Sequence, residues 1–193
     1  MNTNEVVTHL WQQITTHLTE ETRSLVERAY ALASTAHEGQ WRDGRDQAPY
    51  LSHPLRVALV LAEEVGRTEG DLVAVALLHD VLEDTSVKME ALRDEVGADI
   101  ANAVELLSKE QVPQSGKEAR DSAYYAGIIN SGEIVRLVKC ADRVDNLRGL
   151  KTLNDPERWE KYVKETQDHI LPIAEMTNPI LHQLLVDMIA SPH

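Results

Sequence analysis

The sequence predicts an all-α protein. Three observations carry that expectation. Apolar residues recur at three- and four-residue spacing in segment after segment, and no stretch holds the period-two alternation of a half-buried strand. The core palette is Leu, Val, Ile and Ala, with no Phe at all. At 193 residues, 42% hydrophobic and 26% charged, the chain is long enough for one sizeable core and short for two, so residues 1–193 are expected to form a single domain.

Taken in order, Val6, Val7, Leu10, Trp11, Ile14 and Leu18 predict an amphipathic helix from Asn4 to about His17. Thr19 reads as an N-cap, with Glu20 and Glu21 in the favourable first turn of a second helix reaching about His37. Residues 38–49 have no period, and their Gly, Asp and Pro mark a loop that is arginine-rich for so acidic a chain. Ser52-His53-Pro54 reads as a helix start, Ser as cap and Pro in the first turn, running to Gly66. The next helix is expected from Glu69 or Gly70 to about Asp84, with Thr85-Ser86 as the following cap. Two short core-facing helices follow, one around Leu92 and one around Val104, and residues 112–116 are expected to form a flexible loop by their Pro, Ser and Gly content. Helices from Lys117 to about Asn130 and from Glu133 to about Lys151 come next. Asp155-Pro156 opens an amphipathic stretch that Pro172 is expected to kink, and a last helix follows Asn178-Pro179. Residues 156–190 are expected to pack on a motif-bearing core.

The net charge of -13 excludes non-specific binding to nucleic acid or to an anionic membrane, because the average field repels both. A small anionic substrate then needs a local reversal of sign, which a metal ion and a few Arg side chains supply. Cys140 stands alone, no apolar run reaches membrane-spanning length, and no signal-peptide pattern opens the chain, so the expected location is the cytoplasm.

Residues 76–85, Ala-Leu-Leu-His-Asp-Val-Leu-Glu-Asp-Thr, place His79, Asp80, Glu83 and Asp84 in an apolar helical segment. His79 and Glu83 share a column, as do Asp80 and Asp84. Burying these groups beside Leu77, Leu78, Val81 and Leu82 calls for a compensating cation. With His53 at a helix start and Asp142 on a late helix, the chain offers two imidazoles and two carboxylates, a donor set for a transition metal or Mn2+ that retains open positions. Such an ion polarises a phosphoryl group and acidifies bound water. Glu83 and Asp84, one turn on, are candidates for proton transfer or for orienting a water. Asn146 shares the face of Asp142 and suits substrate hydrogen bonding, and Arg42 is the candidate substrate cation, able to stack on a base or fork to a phosphate.

Four ordered stretches now carry a resemblance: HEGQWRDG (37–44), PYLSHPLRVA (49–58), ALLHDVLEDT (76–85) and KCADRVDNLRGL (139–150). They resemble the HD-domain metal-dependent phosphohydrolases, and among them the hydrolase domain of RelA/SpoT-type proteins and small alarmone hydrolases, over roughly residues 20 to 165. The resemblance implies a helical HD-domain bundle with a metal site between helices, and removal of the 3′-pyrophosphate from guanosine tetra- and pentaphosphate with Mn2+. It implies His53, His79, Asp80 and Asp142 as metal ligands, Glu83 and Asp84 as the catalytic pair, and Arg42 and Asn146 as nucleotide contacts. The expected partner is a small phosphorylated nucleotide, and the sequence allows a homo-oligomer. Three positions depart from the family pattern: Asp43 stands where Lys is usual, Asp145 where His or Tyr is usual, and Gly149 where Thr is common. Asp43 keeps open another phosphorylated nucleotide as substrate, and a catalytically silent nucleotide sensor is the rival from a different class.

The remaining polar residues have plainer readings. His37 is expected to organise its loop by hydrogen bonding, Arg143 and Arg148 to pair with the acids and amide of their own helix, Arg45 to be an exposed loop charge, and Cys140 to be a small core residue. Lys161, Lys164, Glu160 and Glu165 are expected to form a solvated helix face. His9, His17, His169, His182 and His193 show no partner pattern.

Overall fold

The computed structural model describes residues 3–42, 48–110, 113–153 and 155–190. Asp43, Arg45, His193 and Val112, the first residue of the loop expected at 112–116, lie outside these residues. Among the described residues there is no strand, only an isolated antiparallel bridge between Trp41 and Pro49.

The chain runs α1 (Thr3–His17), α2 (Glu20–Ala36), α3 (Ser52–Leu59), α4 (Gly70–Leu78), α5 (Val81–Asp84), α6 (Met89–Val96), α7 (Ala98–Leu107), α8 (Lys117–Ile129), α9 (Glu133–Thr152), α10 (Pro156–Glu165), α11 (Leu171–Thr177) and α12 (Pro179–Ala190). Thr19 caps α2 as expected, its hydroxyl accepting from the Thr22 amide while the Thr22 hydroxyl accepts from the Thr19 amide. Asp155 caps α10 by accepting from the Arg158 amide, and Asn178 opens α12 by accepting from the Ile180 and Leu181 amides.

α4 is apolar almost all round, and Leu72 through Leu78 are buried without exception. A helix of that kind can only be central. It packs against α2, α3, α7 and α9, and one continuous buried cluster runs from Ile14 to Leu185. The cluster is built from Leu, Val, Ile and Ala, with Tyr125 and Trp159 as its aromatics. No helix among the described residues is long and apolar enough to cross a membrane.

Four local expectations are corrected. The helix expected to run unbroken to Asp84 stops at Leu78 and resumes at Val81, leaving His79 and Asp80 in the break. The Ala76 carbonyl accepts from His79 Nδ1 at 2.8 Å, so side chain and backbone compete at this turn, and Asp80 settles at φ -99, ψ -5. Ser52 is not a cap: α3 starts on it, and its hydroxyl accepts from Arg56 Nη1 instead. Thr85 does not cap α6 but closes α5, donating to the Val81 carbonyl and accepting from the Val87 amide. The irregularity expected at Pro172 falls just before it, as a π-helical turn at Thr166–Ile170. A second π turn, Val60–Val65, extends α3 to Gly66, whose φ of 75 is the left-handed value a glycine takes at no steric cost.

Candidate metal centre

His53 comes from the first turn of α3, His79 from the break after α4, and Asp142 from the middle of α9, and all three are buried. One ligating atom from each lies within 4.8 Å of the other two, a grouping that can hold a metal ion. His53 Nε2 is 3.3 Å from Asp142 Oδ1, and His79 Nε2 is 3.8 Å from the same oxygen. Asp80, the fourth expected ligand, stands beside this three-residue grouping. Its Oδ2 lies 3.2 Å from His79 Nε2 and 3.5 Å from His53 Nε2.

The tautomers suit coordination. A carbonyl can only accept, so His79 Nδ1 carries a proton facing Ala76, and Nε2 is the ring atom left to face an ion. That Nε2 is buried and makes no hydrogen bond, the Asp80 oxygen being near but outside hydrogen-bonding geometry. A buried polar atom without a partner is costly, and here a cation is the partner that chemistry supplies. The electrostatics agree. Without an ion, burial opposes charge on His79, yet Asp80 and Asp142 outweigh it and lift the imidazole to about 9, so the ring then carries the positive charge that a bound cation takes over as the Nε2 proton leaves. Burial likewise opposes charge on Asp142 and Asp80, but Lys139 and the two imidazoles hold the first, and the imidazoles hold the second, well below the carboxylate range. The cluster is thus built around positive charge, and its nitrogen and oxygen donors fit a divalent ion.

The two proposed proton-handling residues part company in the structure. Glu83 lines the cleft, and its Oε2 accepts from the Lys109 amide at 2.7 Å. Burial, reinforced by Asp80 and Asp84 and opposed by that amide, raises its pKa above the usual Glu range. Asp84 is exposed and does not line the cleft; its Oδ2 lies 2.5 Å from the Tyr50 hydroxyl, which is also 2.8 Å from Asp80 Oδ2. One phenol proton thus serves two carboxylates. The column expected of Asp80 and Asp84 holds across the break, since the Asp84 amide donates to the Asp80 carbonyl and both carboxylates meet the Tyr50 hydroxyl, whereas Glu83 turns to the Lys109 amide.

Arg42 and Asn146 meet as neighbours. Arg42 Nη2 donates to Asn146 Oδ1 at 2.8 Å, and Asn146 Nδ2 donates to Asp142 Oδ1 at 2.5 Å. His37 organises the loop, bonding Gln40 at 2.8 Å and stacking on Tyr50, while Gln40 donates to the Asp84 carbonyl.

A cleft of about 350 Å³ opens over the cluster, and Lys109, Lys139, Arg143 and Arg158 line it together with Glu165. Sequence reasoning missed Lys109, Arg143 and Arg158 as residues of this wall. Arg143 does not pair within α9 but reaches Glu165 at 3.1 Å and packs over the Tyr162 ring, with Nε and Nη1 buried and unpartnered. Lys109 comes from the segment after α7, which carries no motif, and lies between the Tyr124 and Tyr125 rings. Arg158 and Tyr162 are one turn apart on α10, the only sequence signal available. Arg148 pairs with Glu64 rather than within its helix, and Cys140 is a buried core residue.

Glu165, expected on a solvated face, is instead the anion that ties this wall together. It accepts from Tyr125 and pairs with Lys109 and Arg143. Burial opposes its charge, but Arg143, Tyr125 and Lys109 overcome that and hold its pKa at about 2 against an ordinary 4.5. A depressed folded-state value means stability that is present above pH 4.5 and lost as pH falls towards 2. The thermal midpoint of the wild type should therefore exceed that of Glu165→Gln at neutral pH, and the gap should close on acidification through that window. A gap independent of pH would contradict the assignment.

An all-α fold that closes two imidazoles and a carboxylate under a cationic cleft defines a metal-binding helical domain able to receive an anionic substrate. Comparison with known proteins gives the family: the HD-domain model matches residues 29–176, and the chain belongs to that family. It is 34% identical over 143 residues to the guanosine-3′,5′-bis(diphosphate) 3′-pyrophosphohydrolase MESH1 of Xenopus tropicalis, covering 74% of this chain and 78% of that protein. It is also 34% identical over 167 residues to the bifunctional (p)ppGpp synthase/hydrolase SpoT of Escherichia coli K12, covering 84% of this chain but only 23% of SpoT. The solved structure of a metazoan SpoT ortholog, described as hydrolysing ppGpp, superposes with a TM-score of 0.76 at 25% identity, over 90% of this chain and 96% of that one.

Proposed function

We propose that this protein is a divalent-metal-dependent phosphohydrolase that removes the 3′-pyrophosphate of guanosine tetraphosphate or pentaphosphate, with Mn2+ as the ion and His53, His79, Asp80 and Asp142 as its ligands. The observation that carries the reading is the cleft itself. In a chain of net charge -13, Arg42, Lys109, Lys139, Arg143 and Arg158 line the cleft beside the imidazole–carboxylate cluster, and a divalent ion held by that cluster completes the positive sign a polyphosphate requires. The activity named for the MESH1 and SpoT relatives supports it. The continuous buried cluster supports residues 1–193 as one domain, and the lone buried Cys140 fits a cytoplasmic location.

When bound, the ion supplies Lewis-acid polarisation of a phosphoryl oxygen and acidifies a water. The protein's own residues do the rest. Glu83 and Asp84 form the proton-handling pair, Glu83 from the cleft wall and Asp84 through Tyr50. With Oε2 held by the Lys109 amide, Glu83 keeps Oε1 to take or return a proton, and its raised pKa brings it closer to a working base at neutral pH. Asn146 orients Arg42 and Asp142 together, so a nucleotide gripped by Arg42 is referred to the cluster. Lys109, Arg143 and Arg158, which line the same cleft, neutralise phosphate charge.

Purified protein loaded with Mn2+ and given a panel of phosphorylated nucleotides tests the proposal. Pyrophosphate released from guanosine tetraphosphate is the expected result. Phosphate or pyrophosphate from a different nucleotide alone would replace the substrate, and binding without turnover of any would make the protein a nucleotide sensor. Arg158→Ala should lower kcat/KM by about 10- to 100-fold, the range for losing a hydrogen bond to a charged group, and chiefly through KM. An unchanged KM would remove Arg158 from the substrate wall.

A further inference from the structure

The structure gives Asp145 a specific neighbour. His53 Nδ1 lies 2.6 Å from Asp145 Oδ2, with both side chains 3% exposed. On its other side the same carboxylate is gripped by Arg56, Nε to Oδ1 at 2.7 Å and Nη2 to Oδ2 at 3.3 Å. Arg56 is one turn after Ser52 on α3 and is itself steadied by the Ser52 hydroxyl at 3.1 Å. Arg42 Nη1 stands 3.8 Å from Asp145 Oδ2 as a further positive neighbour. Arg56 and Asp145 line a second cleft, of about 340 Å³, and neither lines the one over the metal centre.

We propose that Arg56 and Asp145 form a positioning relay that holds the proton of His53 on Nδ1 and aims its Nε2 lone pair at His79 and Asp142, so that the affinity of the centre for a divalent ion is set from the second cleft. A carboxylate can only accept, so a 2.6 Å contact fixes the Nδ1–H tautomer. A buried carboxylate would be poorly tolerated alone, and the forked contact from Arg56 both neutralises it and removes its freedom to rotate. His79 obtains the same tautomer from a backbone carbonyl. His53 has no such carbonyl partner among its described hydrogen bonds and depends on a side-chain pair. Partners of this type orient metal-bound imidazoles, and losing one costs roughly 10- to 100-fold in metal affinity.

The inference rests on the metal reading above, and its test separates the two. Nitrogen-15 NMR of the imidazoles in the metal-free wild type should show His53 protonated at Nδ1, and titration with Mn2+ alone should give an affinity that falls about 10- to 100-fold in Asp145→Asn and in Arg56→Ala, with Arg56→Lys recovering part of it. His53 in the Nε2–H tautomer, or wild-type Mn2+ affinity in both Asp145→Asn and Arg56→Ala, would overturn the relay. A wild type that binds no divalent ion would overturn the metal reading and with it the effect on affinity, whereas the tautomer measurement needs neither metal nor a variant.

Discussion

Asp142→Asn is expected to remove metal binding and hydrolysis together. Asp142 is the one carboxylate in the three-residue grouping, and it is 6% exposed in the middle of α9. Its Oδ1 faces both imidazoles, while Oδ2 accepts from Lys139 Nζ at 2.9 Å. The amide replacement keeps shape but halves the acceptor atoms and deletes the charge that a divalent ion and Lys139 both use. Because loss of a partner one bond removed from the ion already costs up to about 100-fold in affinity, loss of a ligand should cost at least that much. Lys139 would be left without its counter-charge, so helix content and the thermal midpoint should be recorded alongside metal content after dialysis. A folded Asp142→Asn protein carrying a full complement of metal would refute its assignment as a ligand.

Glu83→Gln is expected to separate the two halves of the site. Metal content should stay at the wild-type level, because Glu83 lies outside the grouping around His53, His79 and Asp142. Turnover should fall by about 10²- to 10⁴-fold, the usual contribution of a positioned acid or base. The glutamine can still accept from the Lys109 amide, so the segment after α7 should keep its place. In the wild type the acidic limb of the kcat/KM profile should sit above the ordinary Glu range, since burial raises the pKa of Glu83 and the base must be ionised to act. Turnover within a few-fold of wild type in Glu83→Gln would move the proton to another residue.

Much of the fold could be read from the sequence because helices announce themselves locally. The caps at Thr19 and Asp155 and the all-apolar α4 need only their own residues. The break at His79 and Asp80 could not be read that way. It depends on an imidazole competing for a backbone carbonyl, and the apolar period runs straight through it. The π turns at Val60–Val65 and Thr166–Ile170 are hidden as well, since they differ from an α-helix only in which carbonyl each amide reaches.

The site divides along similar lines. His53, His79 and Asp142 stand out because a ligand-type residue in an apolar helical context is unusual in itself, and the fold brings these three together. Lys109, Arg143 and Arg158 look like ordinary surface charges in sequence, and only the meeting of α7, α9 and α10 turns them into one wall. Glu165 is the sharpest case. Among Lys161, Lys164 and Glu160 it reads as one more solvated charge, yet it alone of the four lines the cleft and ties three partners. Asp145 reads in sequence as a departure from the family pattern, and its contact with His53 emerges only when α3 lies against α9.

The central claim is that His53, His79 and Asp142 converge on one divalent ion. Diffraction from crystals soaked in Mn2+, collected at a wavelength where manganese scatters anomalously, tests it most directly. The account predicts a single anomalous peak within about 2.0–2.3 Å of the two Nε2 atoms and an Asp142 oxygen, as first-row metal–ligand distances require. No peak there, or a peak only at other carboxylates, would contradict it.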